Sequence, residues 1–138
     1  MLRLSRDVYD GMLAHAVAGL PNEACGLFAA ASPSSEVVTF YPMANAAASE
    51  SLYEFDGAEH LDVEKQAEEG GLTVVGVMHS HTRSTAYPSP TDVTQAAGFD
   101  PLGVWHYVIV SLKHPEPALR SYRIIGGFID EEEVRVRA

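Results

Sequence analysis

A single cysteine, Cys25, in 138 residues excludes an internal disulfide. There is one tryptophan, and there are only nine Lys and Arg against nineteen Asp and Glu. A net charge of −10 argues against nucleic acid, which needs a basic surface to meet phosphate. No apolar run approaches the roughly 20 residues of a membrane span, so no membrane association is expected. The first residues, Met1 to Asp7, lack the apolar core of a signal peptide, and a cytoplasmic location is expected. Neither repeats nor a linker interrupt the chain, so residues 1–138 read as one domain. The apolar fraction of 46% and charged fraction of 20% are those of a folded globular protein. The acidic stretches, 50–69 and 130–133, read mostly as solvated surface.

Six histidines are present, and two of them stand in His79-Ser80-His81. This triplet closes an apolar, β-branched run that follows Gly70-Gly71, so 72–81 reads as a buried strand. Residues i and i+2 of a strand share a face. Both imidazoles therefore project together, within reach of one ion at about 2.0–2.1 Å, while Ser80 points away. Ser89 follows eight residues after His81, and Asp92 three after that. Ser89-Pro90-Thr91-Asp92 is also a helix start, with Ser at the N-cap, Pro at N1 and Asp at N3. The two readings are compatible: a cap fixes the Asp92 backbone while its carboxylate turns toward a metal. Two imidazoles, a carboxylate and a distant Glu23 are the parts of a catalytic zinc site with one open position.

The periodicities give the remaining elements. Ser5 to Leu20 reads as an amphipathic helix with Val8, Met12, Ala16 and Leu20 on its buried face. Residues 23–30 and 36–43 form a hairpin around a turn of small residues at 31–35. A polar connection at 45–51 leads to a short strand at 53–56. A second helix, 57–69, ends at the Gly pair. After the 72–81 strand, an irregular loop at 82–88 leads to a short third helix, 91–98. Strands at 104–112, 119–125 and 132–137 complete the chain. The expected fold class is α/β, with α+β character: two helices packed on a mixed, mainly antiparallel sheet or partial barrel. Cys25 reads as a small buried hydrophobe rather than a nucleophile. His106 reads as a hydrogen-bonded core residue, with a fourth metal ligand as the alternative. Tyr53-Glu54-Phe55 reads as a short edge strand, whose free main chain is either ordinary or open to strand addition. Arg83 and Tyr87 lie in the loop between the ligands, where substrate contact and plain surface are equally open.

The order Glu, then His-[Ser/Thr]-His-x7-Ser-x2-Asp, resembles the signature of the JAMM (MPN+) metalloproteases. Here it is filled by Glu23, His79, Ser80, His81, Ser89 and Asp92 without a gap. Pro21-Asn22-Glu23-Ala24-Cys25-Gly26 is similar to the family's glutamate segment, and the likeness runs over nearly the whole chain. Thr82 stands where many members have proline; it is not a ligand position. The resemblance implies the MPN fold, with the ligand strand central and Glu23 on a neighbouring strand. It implies Zn²⁺ on His79, His81 and Asp92, Glu23 as the acid–base group, and the Ser89 hydroxyl on the oxyanion.

Residues 79–92 (HSHTRSTAYPSPTD) and 119–125 (LRSYRII) resemble more narrowly a small actinobacterial subgroup of these hydrolases. By that resemblance the partner is the C-terminal tail of a ubiquitin-like sulfur-carrier protein, from which cysteine is released. The tail would pass beside residues 53–55. Three alternatives stand beside this one. They are another ubiquitin-like conjugate, a non-catalytic MPN scaffold, and a zinc nucleoside deaminase. The scaffold is disfavoured because no ligand is missing. The deaminase needs a Cys pair that one cysteine cannot supply.

Overall fold

In the computed structural model, which describes residues 1–32 and 35–138, one eight-stranded sheet organises the chain. The elements run β1 (Leu2–Leu4), α1 (Arg6–Ala18), β2 (Cys25–Ala30), β3 (Val37–Met43), α2 (Gly57–Glu69) and β4 (Thr73–His81). Then come α3 (Pro90–Phe99), β5 (His106–Ser111), β6 (Ala118–Ile125), β7 (Phe128–Glu132) and β8 (Val134–Val136). The strand order is β7-β6-β5-β4-β2-β3-β1-β8. β4 is therefore central, as expected, and lies parallel to β5 and antiparallel to β2. Four of the pairings are antiparallel and three are parallel. β7 and β8 lie at opposite ends of that order, yet only Glu133 separates them in the chain. The sheet must therefore curl until its two edges nearly meet, which gives a mixed, nearly closed barrel.

Three helices flank this sheet rather than two. α1 is capped by Ser5, whose Oγ accepts from Val8 N, and it buries Val8, Met12 and Ala16. These residues pack against Phe28, Val75, Met78 and Val108. Burying Val8 and Met12 contributes about 2 kcal/mol each. Leu20 lies beyond the helix end and is 49% exposed, so the four-residue period breaks one turn earlier than expected. α2 and α3 cover the opposite face, where Val63, Ala67 and Ala96 join Leu27, Val77 and Ile109.

One irregularity sets the phase of the central strand. Phe28 pairs with Gly76 and Ala29 with Val74, so Val75 is an extra residue, a β-bulge. Val74 and Val77 consequently face the α2/α3 layer, while Val75 and Met78 face α1. Gly76 permits the close approach at this point. A Cβ there would lie 2.3 Å from the Phe28 ring and 2.4 Å from the His106 carbonyl oxygen.

The end of the chain departs from the sequence reading. Gly126 and Gly127, at φ +57° and +83°, make a tight turn, and the returning strand begins at once at Phe128. The expected single strand at 132–137 is two strands, and β8 pairs with β1, a three-residue strand too short to show a period. Residues 53–56 form no strand. Glu54 N donates to Asn45 Oδ1, Glu54 O accepts from Ala46 N, and Tyr53 O accepts from Gln95 Nε2. The Glu54 main chain is thus turned toward residues 45 and 46, and Tyr53 O toward α3. The expected turn at 31–35 falls partly outside the described residues.

Where the sheet edges approach, a buried carboxylate ties three strands together. Glu132 Oε2 accepts from Ser121 Oγ at 2.8 Å and lies 2.6 Å from His106 Nδ1; the Met1 amino group is 3.2 Å from Oε1. His106 is thus a hydrogen-bonded core residue and not a fourth ligand. Burial would raise the Glu132 carboxyl, but the bonds from His106 and Ser121 outweigh it and hold it at about 2. A depressed carboxyl stabilises the fold above its unfolded value of 4.5, and that stability is lost as pH falls toward 2. Glu132→Gln is expected to cost about 2 kcal/mol near neutral pH, after discounting for solvent screening. It should also flatten the acid limb of stability. Urea unfolding at several pH values checks both; an unchanged acid limb would remove this role.

Candidate metal centre

His79 and His81 end β4 just beyond the bulge, on the α2/α3 side of the sheet. Ser80 turns the other way, and its Oγ accepts from Ala24 N at 2.8 Å. Asp92 arrives from the first turn of α3, where the capping box is complete. Ser89 Oγ accepts from Asp92 N at 3.1 Å, and Asp92 Oδ2 accepts from Ser89 N at 2.8 Å. The cap stabilises the helix start by about 1 kcal/mol and aims the carboxylate inward. The structure thus combines both readings of this segment.

The three side chains converge. His79 Nε2 is 3.1 Å from His81 Nε2 and 3.2 Å from Asp92 Oδ2, and His81 Nε2 is 3.0 Å from that oxygen. Ligand atoms set tetrahedrally around one zinc ion stand about 3.3–3.4 Å apart, close to this spacing. His81 Nδ1 donates to the Thr85 carbonyl at 2.8 Å. In the neutral ring that places the Nε2 lone pair against Asp92 Oδ2, so a cation, proton or metal, must lie between them. Among the described residues, His79, His81 and Asp92 are the one group of three or more His, Cys, Asp or Glu able to hold a metal ion. The donor set suits zinc.

Electrostatics agree. Complete burial pushes the His79 imidazole below its ordinary value, which keeps it neutral and able to ligate. Burial would raise the Asp92 carboxyl, but the hydrogen bonds from both histidines prevail and hold it well below the carboxylate range. Burial alone would lower His81, but its bonds to Asp92 and Thr85 more than offset this and raise it.

Glu23 sits two residues ahead of β2 rather than on it, and Cys25, the first residue of that strand, pairs with His79 across the sheet. Glu23 shares a cleft of about 350 Å³ with His81 and Ser89. Burial pushes its carboxyl up to about 7 against the pull of His81. A carboxyl poised there can both take and return a proton. Cys25 is fully buried, its Sγ donates to Ala44 O, and burial pushes the thiol up to about 12. It is no nucleophile.

Several supports carry no sequence signal. Tyr53 is buried and stacks on His79, with ring centroids 4.5 Å apart. It braces the imidazole whose Nδ1 is buried without a hydrogen-bond partner. Asn45 Nδ2 donates to Glu23 O at 3.0 Å and Leu52 O at 2.9 Å, while its Oδ1 accepts from Ala47 and Glu54. One amide thus fixes the 45–54 loop to the Glu23 backbone. The 82–88 loop is pinned by its carbonyls: Ser111 Oγ donates to Ser84 O and Tyr122 Oη to Ala86 O. Arg83 and Tyr87 are exposed, and Arg83 pairs with Glu50 at 3.2 Å.

A nearly closed mixed barrel whose central strand ends in His-x-His beside a helix-capping Asp defines a JAMM-type domain. The chain belongs to the family of prokaryotic homologs of the JAB domain, whose model matches residues 5–125. It is 40% identical over 137 residues to the CysO-cysteine peptidase of Mycobacterium tuberculosis, covering 99% of this chain and 91% of that one. Its fold matches the solution structure of a Desulfitobacterium hafniense protein with a TM-score of 0.87 and 34% identity, over 99% of this chain and 93% of that one. It also matches a JAMM structure described as a metalloprotease-like zinc site in the proteasome and signalosome. There the TM-score is 0.64 at 17% identity, over 100% and 99% of the two chains, a likeness of fold.

Proposed function

We propose that this enzyme hydrolyses the amide bond joining cysteine to the C-terminal glycine of a ubiquitin-like sulfur-carrier protein. The observation that carries the chemistry is the convergence of His79, His81 and Asp92 beside a cleft holding Glu23 and Ser89. The substrate follows the M. tuberculosis relative, a CysO-cysteine peptidase. In this reading His79, His81 and Asp92 hold Zn²⁺, which supplies an acidified water and polarises the scissile carbonyl.

The chain's own groups do the rest. Glu23 accepts a proton from the attacking water as its oxygen bonds to the glycine carbonyl carbon. The same carboxyl returns a proton to the nitrogen as the C–N bond breaks, and cysteine leaves as a neutral amine. The Ser89 side-chain oxygen already accepts from Asp92 N, which leaves its O–H free to donate to the oxyanion. Asp92 and Thr85 hold the imidazoles in orientation throughout.

A Gly-Gly tail has no side chains and suits a small cleft. Recognition should therefore lean on the tail. The expected result is efficient release of cysteine from a small sulfur carrier and poor cleavage of linked ubiquitin chains. Replacing the carrier's terminal Gly with Val should block the reaction. The measurement is kcat/KM for both substrates at equal zinc loading, followed by mass spectrometry. A clear preference for ubiquitin chains would defeat the cysteine-release reading and favour an isopeptidase.

A further inference from the structure

The bond assigned above is the last one of its substrate, and this inference rests on that reading. The leaving amino acid keeps a free α-carboxylate one carbon from the scissile nitrogen. That carboxylate enters a cleft lined by Glu23 and Glu50, on a chain of net charge −10. Glu23 and Glu50 would repel a carboxylate placed there, so a cationic side chain beside it would favour binding. Among the described residues, the one Lys or Arg lining this cleft is Arg83.

Arg83 stands two residues after His81, at the mouth of the site. Thr82 Oγ1 donates to the Glu50 carbonyl at 2.9 Å, and Arg83 Nη2 lies 3.2 Å from Glu50 Oε1. These bonds close one wall of the cleft from two loops. The Arg83 side chain is 82% exposed, so its pairing with Glu50 is weak and readily exchanged. A guanidinium offers a planar fork that matches a carboxylate in two hydrogen bonds.

We propose that Arg83 is the specificity-determining residue that binds the α-carboxylate of the departing amino acid. The cleft thereby selects a carrier bearing one terminal residue over a carrier continued by further peptide. In the free protein Glu50 holds the guanidinium over the cleft, and the substrate carboxylate takes its place.

The test compares two substrates that differ only at this group: a carrier ending in cysteine, and the same carrier ending in cysteine carboxamide. Wild-type enzyme is expected to favour the free acid in kcat/KM by about tenfold, on the scale of a charge-assisted hydrogen bond. In Arg83→Ala the ratio should fall toward one, because the loss on the acid exceeds the loss on the amide by that factor. Arg83→Lys, which keeps the charge without the fork, should retain part of the preference. Added salt should shrink the wild-type ratio. An Arg83→Ala enzyme that keeps the wild-type ratio, or a wild type with no preference, overturns the inference and leaves cysteine release standing. A zinc-loaded wild type that turns over neither substrate overturns cysteine release itself.

Discussion

His79→Ala is expected to empty the metal centre and abolish turnover. Wild-type protein should carry one zinc per chain by elemental analysis, and the variant close to none. Two remaining ligands cannot hold zinc as a closed set of three does. Turnover should drop by roughly 10³-fold or more, because both the acidified water and carbonyl polarisation go with the ion. His79 is buried and stacked on Tyr53, so its removal also leaves a cavity. Asp92→Asn separates the two effects. Asparagine keeps the shape and an oxygen that can accept from Ser89 N, while the anionic ligand is lost. Zinc loss in a folded Asp92→Asn protein would assign the defect to ligation. Full zinc occupancy in His79→Ala would show that the ion is held elsewhere.

Glu23→Gln is expected to keep the zinc and lose roughly 10²-fold or more in kcat, the scale of a positioned acid–base group. The amide retains the shape of the side chain but cannot accept a proton. The pH profile gives an independent readout. Burial places the Glu23 carboxyl at about 7 against the pull of His81, and a bound divalent ion would draw it lower. Activity should therefore fall as pH drops through that lowered value, since the group must be ionised to begin the cycle. In Glu23→Gln the acid limb due to this group should vanish. Near-normal turnover in the variant would remove Glu23 from the mechanism.

Much of the site was legible in the chain, because its chemistry follows local spacing. A two-residue period puts His79 and His81 on one face, and Ser89-Pro90-Thr91-Asp92 carries its own helix start. The strand that bears the ligands shows as a β-branched run after Gly70-Gly71. What was hidden depends on partners far along the sequence. Tyr53 reads as a strand residue until Asn45 and Gln95 take up the main-chain groups around it. Nothing near Asn45 marks it as the anchor of the Glu23 backbone, because its bonds span a loop. β1 has three residues, and only its pairing with β3 and β8 makes it a strand. The Leu20 misreading came from extending a period past the point where the helix ends.

The extra residue at Val75 has a consequence for how the chain tolerates change. Side chains on a strand alternate like the teeth of a two-sided comb, and one tooth added or lost swaps the sides for everything downstream unless a bulge takes up the difference. Deleting Val75 would leave Val74 and Gly76 consecutive opposite Ala29 and Phe28, with both imidazoles still on the α2/α3 side. One residue added between Gly76 and His79 would have no such slack. It would turn both imidazoles into the apolar layer beneath α1 with every catalytic residue still in the gene. A search for functional copies by motif alone would accept that sequence. The spelling of the site is local, but its orientation is set by a count.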